Sequence, residues 1–229
     1  MPANEPSALT ELLRRRRSVR DFTDRPVDPA LLRDILAAAQ RAPSGGNLQP
    51  WQAVVVTGAP WQSVKDAVAA RVAMGRDGYE PEYDIYPPNL TEPWTARRFG
   101  VGEALYAALG IAREDKAGRL AQFMENYRGF GAPVMLFLHC SRIMGPPQWA
   151  DMGMWLQSVM LLLTEAGLAS CPQECWEMYG GTVRRALGLD EGQILFAGLA
   201  IGYADESAPV NQWPVPRAPL DEVIEWQGF

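Results

Sequence analysis

Four arginines run together near the N-terminus, Arg14, Arg15, Arg16 and Arg17, followed by Ser18, Val19 and Arg20. A guanidinium is planar, permanently charged and forked to match phosphate oxygens. The run therefore reads either as a phosphate cradle or as a solvated helix end whose cations complement the helix dipole. A second group is Ala42-Pro43-Ser44-Gly45-Gly46-Asn47-Leu48-Gln49-Pro50-Trp51. Paired glycines let backbone approach a ligand closely, and Ser44, Asn47 and Gln49 offer hydroxyl and amide groups. A tight structural loop would account for the same residues. A third group is Ser170-Cys171-Pro172-Gln173-Glu174-Cys175, and a fourth is Arg217, a lone cation between Pro216 and Pro219. The plain reading of Arg217 is a surface arginine on an extended tail.

Other chemistries find little support. The cysteine pair Cys171 and Cys175 lacks two further ligands at zinc-like spacing, so no metal site is expected. The only histidine, His139, ends an apolar run beside Cys140, which points to the opposite strand face; packing or a structural hydrogen bond is its expected role. No G-x-S-x-G elbow, G-x-G-x-x-G fingerprint or G-x-x-x-x-G-K-[ST] loop occurs. A net charge of −6 disfavours nucleic-acid binding. Three cysteines, with no secretory leader and no membrane-length apolar run, point to a cytoplasmic protein that neither carries a disulfide scaffold nor spans a membrane.

The elements that position these groups follow from pattern. The chain of 229 residues is 48% hydrophobic and 21% charged, enough for one large domain over 1–229. Leu9, Leu12 and Leu13 have helical spacing. Asp28-Pro29 reads as an N-cap with proline at the first helical position, opening a helix to about Arg41. Strands are expected at Gln52–Thr57, Pro133–Cys140 and Gln193–Ile201, and a helix at Trp61–Gly75. An irregular substrate-side segment covers about 76–130, its first part rich in Gly, Pro and Tyr, with helices near Thr95–Leu109 and Arg113–Asn126. Ala150–Ala166 is apolar nearly all round, which predicts a central buried helix. Gly180-Gly181 precedes a helix ending near Leu187. The C-terminal extension, 203–229, holds Pro209, Pro214, Pro216 and Pro219 and is expected to wrap over a neighbour. Few strands, many helices and no regular alternation favour α+β over a doubly wound sheet.

Taken in order, Arg16-Arg17-Ser18-Val19-Arg20, Pro43 through Trp51, Gly167-Leu168-Ala169 through Glu174, and the terminal Arg217 resemble the FMN-dependent nitroreductase family. The resemblance spans almost the whole chain and is least at about residues 72–96. It implies an α+β fold with a central, mostly antiparallel sheet flanked by helices, and an intertwined homodimer with FMN at the interface. By position it implies cofactor-binding roles for Arg16, Arg17, Ser18 and Arg20 at the phosphate, ribityl chain and pyrimidine edge. It has Pro43, Ser44, Gly45 and Asn47 reaching in from the other subunit. Pro172, Gln173 and Glu174 would line the isoalloxazine, the Glu174 backbone N–H near flavin N5, and Arg217 would hold the phosphate. Two positions depart from the pattern. Val215 stands where some relatives have a second basic residue, and Cys175 where many have glycine; the first implies a weaker phosphate clamp, the second a narrower flavin face.

The implied reaction is reduction of nitroaromatic compounds by two-electron steps. Hydride passes from NAD(P)H to flavin N5 and substrate replaces nicotinamide on the same face, which gives ping-pong kinetics. The chemistry belongs to the cofactor, so no protein side chain is expected to be catalytic. Arg20 would stabilise charge on the reduced ring. Tyr79, Tyr83, Tyr86, Trp94, Phe123 and Tyr127 are candidate aromatic walls, though core or dimer packing is the better explanation for most of them. Quinone, enone or flavin reduction, dehalogenation and flavin destruction on the same scaffold stay open, as does a flavin-binding sensor without turnover.

Overall fold

In the computed structural model, which describes residues 6–228, the expected elements are present. Met1–Glu5 and Phe229 of the expected 1–229 domain lie outside the described residues. Helix α1 (Ala8–Arg15) starts at Ser7, whose hydroxyl accepts the Thr10 N–H at 3.2 Å, and ends with Arg14 and Arg15 at the negative end of its dipole. Helix α2 (Pro29–Ala39) is capped by Asp28, which accepts the Ala30 N–H at 2.8 Å. Its buried residues Leu32, Ile35 and Ala39 fall on one face. Strand β1 (Gln52–Thr57) leads into α3 (Gly58–Val72). The stretch after it is irregular as far as α4 (Trp94–Ala108), and α5 (Lys116–Met124) follows. Strand β2 (Val134–Ser141), helix α6 (Pro146–Glu165), strand β3 (Ala169–Gln173), a 3-10 turn (Glu174–Tyr179), α7 (Gly180–Ala186) and β4 (Gln193–Gly202) complete the core.

The four strands lie in the order β1-β2-β4-β3, and every pairing is antiparallel. Alternation along β2 sends Leu136, Leu138 and Cys140 to one face and Met135 and Phe137 to the other. The first set packs under α2 and α6 with Met152, Trp155, Val159 and Leu163. The second packs under α3 and α7 with Trp61, Val64, Trp176 and Val183. The sheet is covered on both faces, which is why β2 reads as a continuous apolar run. At each fully buried leucine or phenylalanine, removal from water contributes about 1.5–3 kcal/mol. Gly198 of β4 has a particular task. A Cβ there would lie 2.6 Å from Cδ1 of Trp176 and clash with Met135, so only glycine lets the 3-10 turn settle onto the sheet.

Two expectations need correction. Helix α6 is buried on one face only: Met152, Trp155, Leu156, Val159, Met160 and Leu163 are covered, but Met154 is 41% exposed. Strand β3 was not expected, because Ala-Ser-Cys-Pro-Gln shows no alternation and contains Pro172. Proline is tolerated because at Pro172 itself β3 pairs only with β4.

Candidate functional site

Beyond α1 the chain turns extended and runs beside β3. Val19 N–H donates to Ser170 O at 3.0 Å, and Ser18 bridges Ser170 in parallel sense, a one-residue extension of the sheet. Val19 is buried in the core at 2% exposure. Extended backbone alternates its side chains, so Arg16, Ser18 and Arg20 share the side opposite Val19. They line a cleft of about 660 Å3 together with Arg14, Arg17, Val101, Trp213 and Arg217, a size suited to a small ligand.

The C-terminal tail closes this cleft, and Asn211 fastens it. The Asn211 amide is 2% exposed; its Oδ1 accepts the Arg20 N–H at 2.8 Å while its Nδ2 donates to Asp21 O and Asp205 O. That clasp brings Arg217 to Arg16. Burial, and then the charge of Arg217, lower the Arg16 pKa. Among the described residues Arg16, Arg20 and Arg217 form no ion pair, whereas Arg17 is paired with Glu206. Two guanidinium groups from opposite ends of a chain, held close without a carboxylate, make a cradle for an anion. The phosphate of a flavin mononucleotide fits that donor set.

The strand β3 carries the next group. Cys171 lies within electrostatic reach of Arg16 and Arg20, but its wholly buried thiol is pushed up to about 11. Gln173 is 3% exposed and its amide is committed: Nε2 donates to Asn126 O at 2.8 Å and Oε1 accepts from Trp176 Nε1 at 3.3 Å. Only its backbone can face a ligand. Glu174 opens the 3-10 turn and is exposed, and surrounding protein raises its carboxyl above the usual range. Burial likewise raises the Cys175 thiol. Both thiols stay protonated at neutral pH, which suits neither metal ligation nor thiolate chemistry.

The loop Pro43–Asn47 is held at the start of α6. Gly45 N–H donates to the buried Asp151 carboxylate at 3.2 Å, and Ser44 Oγ accepts the Gln49 N–H at 3.0 Å. Gly46, Asn47 and Gln49 adopt φ values of 58°, 56° and 48°, the left-handed region. The shape is specified, yet no residue of the loop lines the cleft that holds Arg16 and Arg217. One chain therefore unites the first and last constellations, sets β3 beside them, and holds the glycine loop elsewhere.

The aromatic candidates divide. Tyr127 is 5% exposed and packs edge-on against Trp176 and Tyr179, so it is core. Phe123 packs on Tyr127. Tyr83 donates its hydroxyl to Phe196 O at 2.5 Å and meets the Trp149 ring edge-on. Tyr79, Tyr86 and Trp94 stay 45%, 47% and 56% exposed, Tyr86 with Arg98 over its ring. His139 Nδ1 pairs with Gln193 Oε1 at 2.9 Å, the structural bond expected of it. Asn211 and Asp151 escaped the sequence reading, since a lone Asn or Asp shows no spacing signal. Among the described residues no group of His, Cys, Asp and Glu side chains could hold a metal, and no helix is long and apolar enough to cross a membrane.

Comparison with known proteins follows the same lines. The model of the Nitroreductase family matches residues 13–203. A nitrobenzene nitroreductase of Ectopseudomonas oleovorans is 36% identical over 217 residues, covering 93% of this chain and 94% of that one. The solved structure of an FMN and NADPH-dependent nitroreductase, NfnB from sphigopyxis sp. strain HMH, superposes with a TM-score of 0.96 at 78% identity, over 97% of this chain and 100% of that chain. The FMN-dependent nitroreductase NfnB from Mycobacterium smegmatis, solved in complex with NADPH, gives a TM-score of 0.91 at 34% identity, over 96% of this chain and 98% of that one.

Proposed function

The chain belongs to the nitroreductase family, and from that premise we propose that two copies of it build an FMN site between them at which nitroaromatic compounds are reduced with NAD(P)H. It is an FMN-dependent, NAD(P)H-using oxidoreductase of the nitroreductase type. The observation that carries the site assignment is the unpaired cluster of Arg16, Arg20 and Arg217 along one cleft. When bound, FMN supplies the two-electron hydride chemistry that no side chain here can supply.

The residues have separate tasks in this reading. Arg16 and Arg217 neutralise the phosphate, with Ser18 beside them on the same face of the strand. Arg20, fixed through its own N–H to Asn211, places a permanent positive charge for the pyrimidine edge. A charge fixed before reaction costs no reorganisation when negative charge develops nearby. Pro172, the Gln173 backbone and the Glu174 N–H form the wall along the ring. Pro43, Ser44, Gly45 and Asn47 complete the site from the other copy. The specified shape of that loop, and its absence from the lining of its own chain's cleft, support this. So does Met154, an apolar side chain exposed on α6. Three free cysteines fit a reducing compartment, and the cytoplasm is the proposed location.

A purified sample tests the reading directly. It should be yellow, release FMN on denaturation, and bleach with NADPH without oxygen. Turnover is then compared with nitrobenzene, a benzoquinone and free flavin as acceptors. Nitroarene reduction that is slow beside quinone reduction would move the assignment to a quinone reductase on the same scaffold. A colourless protein that takes up no FMN would end it.

A further inference from the structure

Residues 78–83 lie as a strap across the turn Glu174–Tyr179 and α7. Backbone bonds fix it: Glu80 N–H donates to Met178 O at 2.9 Å, and Gly181 N–H donates to Glu80 O at 3.2 Å. Side chains reinforce it. The Glu80 carboxylate accepts from Thr182 Oγ1 at 2.6 Å and meets Arg71 and Arg185, while Glu82 is held by Arg142 and Arg184.

At the centre sits Glu177, only 1% exposed. Its Oε1 accepts the N–H groups of both Glu82 and Tyr83, the second at 2.9 Å. Its Oε2 is buried without a partner. Gly180 makes room for it: a Cβ there would lie 2.9 Å from Glu177 Cδ and nearer still to Oε2. Among the described residues, the next backbone hydrogen bond along the chain after Tyr83 is the Thr95 N–H to Thr91 O. Glu177 thus holds the last fastened point before the stretch that bears Tyr86 and Trp94. The Tyr83 phenol also lies within electrostatic reach of Glu174, where the same turn begins.

A buried carboxyl is a costly way to hold two N–H groups that a backbone carbonyl could satisfy. We propose that Glu177 is a positioning residue, whose carboxyl clamps the Glu82 and Tyr83 N–H groups to the turn beginning at Glu174 and so sets the gap between the substrate-side segment and the flavin. This rests on the proposed flavin site at Glu174. The clamp acts on how the nitroarene is held; phosphate binding lies in a different cleft.

The clamp is proton-linked. Burial pushes the Glu177 carboxyl up to about 8, the Glu82 charge adds to that, and the backbone donors and Arg142 oppose it. The groups acting on it are the Glu82 and Tyr83 N–H donors, the Glu82 carboxylate on the strap and Arg142 after β2; Arg184 on α7 meets Glu82, and Glu174 and Cys140 lie within electrostatic reach of the Tyr83 phenol. Deprotonation leaves a buried charge whose Oε2 has no partner and which lies beside Glu82, a cost that the two N–H donors offset only in part, and so weakens the seat of the strap.

The test compares the FMN-loaded wild type with Glu177→Ala and Glu177→Gln by amide hydrogen exchange and by nitrobenzene turnover with NADPH. In Glu177→Ala the Glu82 and Tyr83 amides exchange at least about tenfold faster, and the nitrobenzene KM rises about tenfold with kcat within about threefold and FMN content unchanged. Glu177→Gln copies the protonated acid, restores both readouts, and removes the rise in KM that the wild type shows between about pH 7 and about pH 9. Faster exchange without a KM change overturns the proposal, and so does a Gln variant as damaged as Ala. If Glu177→Ala does not fold, Gly180→Ala, which drives the carboxyl out of its seat, is read by the same criteria. A wild type that cannot reduce nitrobenzene overturns the functional reading and the positioning role together. The exchange data then still decide whether the clamp exists as a structural contact.

Discussion

At the scale of single residues, the arrangement turns on charges left without partners. Arg17 satisfies itself with Glu206 on the surface, and such pairs contribute little. Arg16, Arg20 and Arg217 line one cleft without ion pairs, and in the proposed reading an anion completes them. Arg217 is exposed and makes bonds only to Val215 O and Pro216 O, which leaves the fold little dependent on it. Arg217→Ala should weaken FMN binding about 10–100-fold, the loss of one charge-assisted contact, while the melting temperature of the apoprotein stays within about 1–2 °C. A fluorescence titration with FMN checks this, and unchanged affinity would remove Arg217 from the site. A second residue-scale prediction concerns stability. Burial pushes the Glu177 carboxyl up to about 8, well above the ordinary carboxylate range, so between the two the native state holds a proton that the unfolded chain releases. Stability from this group is therefore greatest below its unfolded pKa and is lost as pH rises through its folded one. Thermal melts from about pH 5 to about pH 9 should decline less steeply for Glu177→Gln than for wild type. Parallel curves would show that Glu177 does not titrate in this range.

At the scale of elements, what was legible depended on whether local pattern and tertiary demand agreed. Helix α2 declared itself through Asp28-Pro29 and the spacing of Leu32, Ile35 and Ala39. Strands β2 and β4 declared themselves through unbroken apolar runs, because both sheet faces are covered. Strand β3 could not be read. Its residues are small or polar, and it is a strand because β4 supplies a partner at Gly198 through Gly202. The turn after β3 depends equally on context, since Trp176 needs the gap over Gly198. Gly198→Ala should cost about 1–3 kcal/mol by overpacking, read as a shift in the urea midpoint. It should also disturb FMN binding, because the turn carries Glu174. A fully stable variant would mean that Trp176 and Met135 shift easily, and that glycine is not required there.

At the scale of the whole molecule, the proposed flavin site draws on two copies of the chain. The cradle of arginines and the wall of β3 sit together, while the Pro43–Asn47 loop is anchored to Asp151 at the start of α6. The same helix leaves Met154 open, and Leu9 and Leu13 of α1 are also exposed. A second copy that covers this apolar surface would also deliver its loop to the flavin. Light scattering should give twice the mass of 25.3 kDa. Met154→Asp should shift the population to monomers and lower FMN content in step, since a buried unpaired charge opposes association. A monomeric variant that keeps full FMN would separate the interface from the site.

The division between sequence and structure has a physical basis. The order of the four constellations, the helices and the apolar strands could be read directly, because each rests on neighbours in the chain or on a short period. So could the acidic charge and the missing phosphate loops, which removed whole classes of function. The meeting of Arg16 with Arg217, the Asn211 clasp, the commitment of the Gln173 amide and the seat of Glu177 could not. Each joins groups far apart in sequence, and which groups meet is decided only when the sheet closes and its two faces fill.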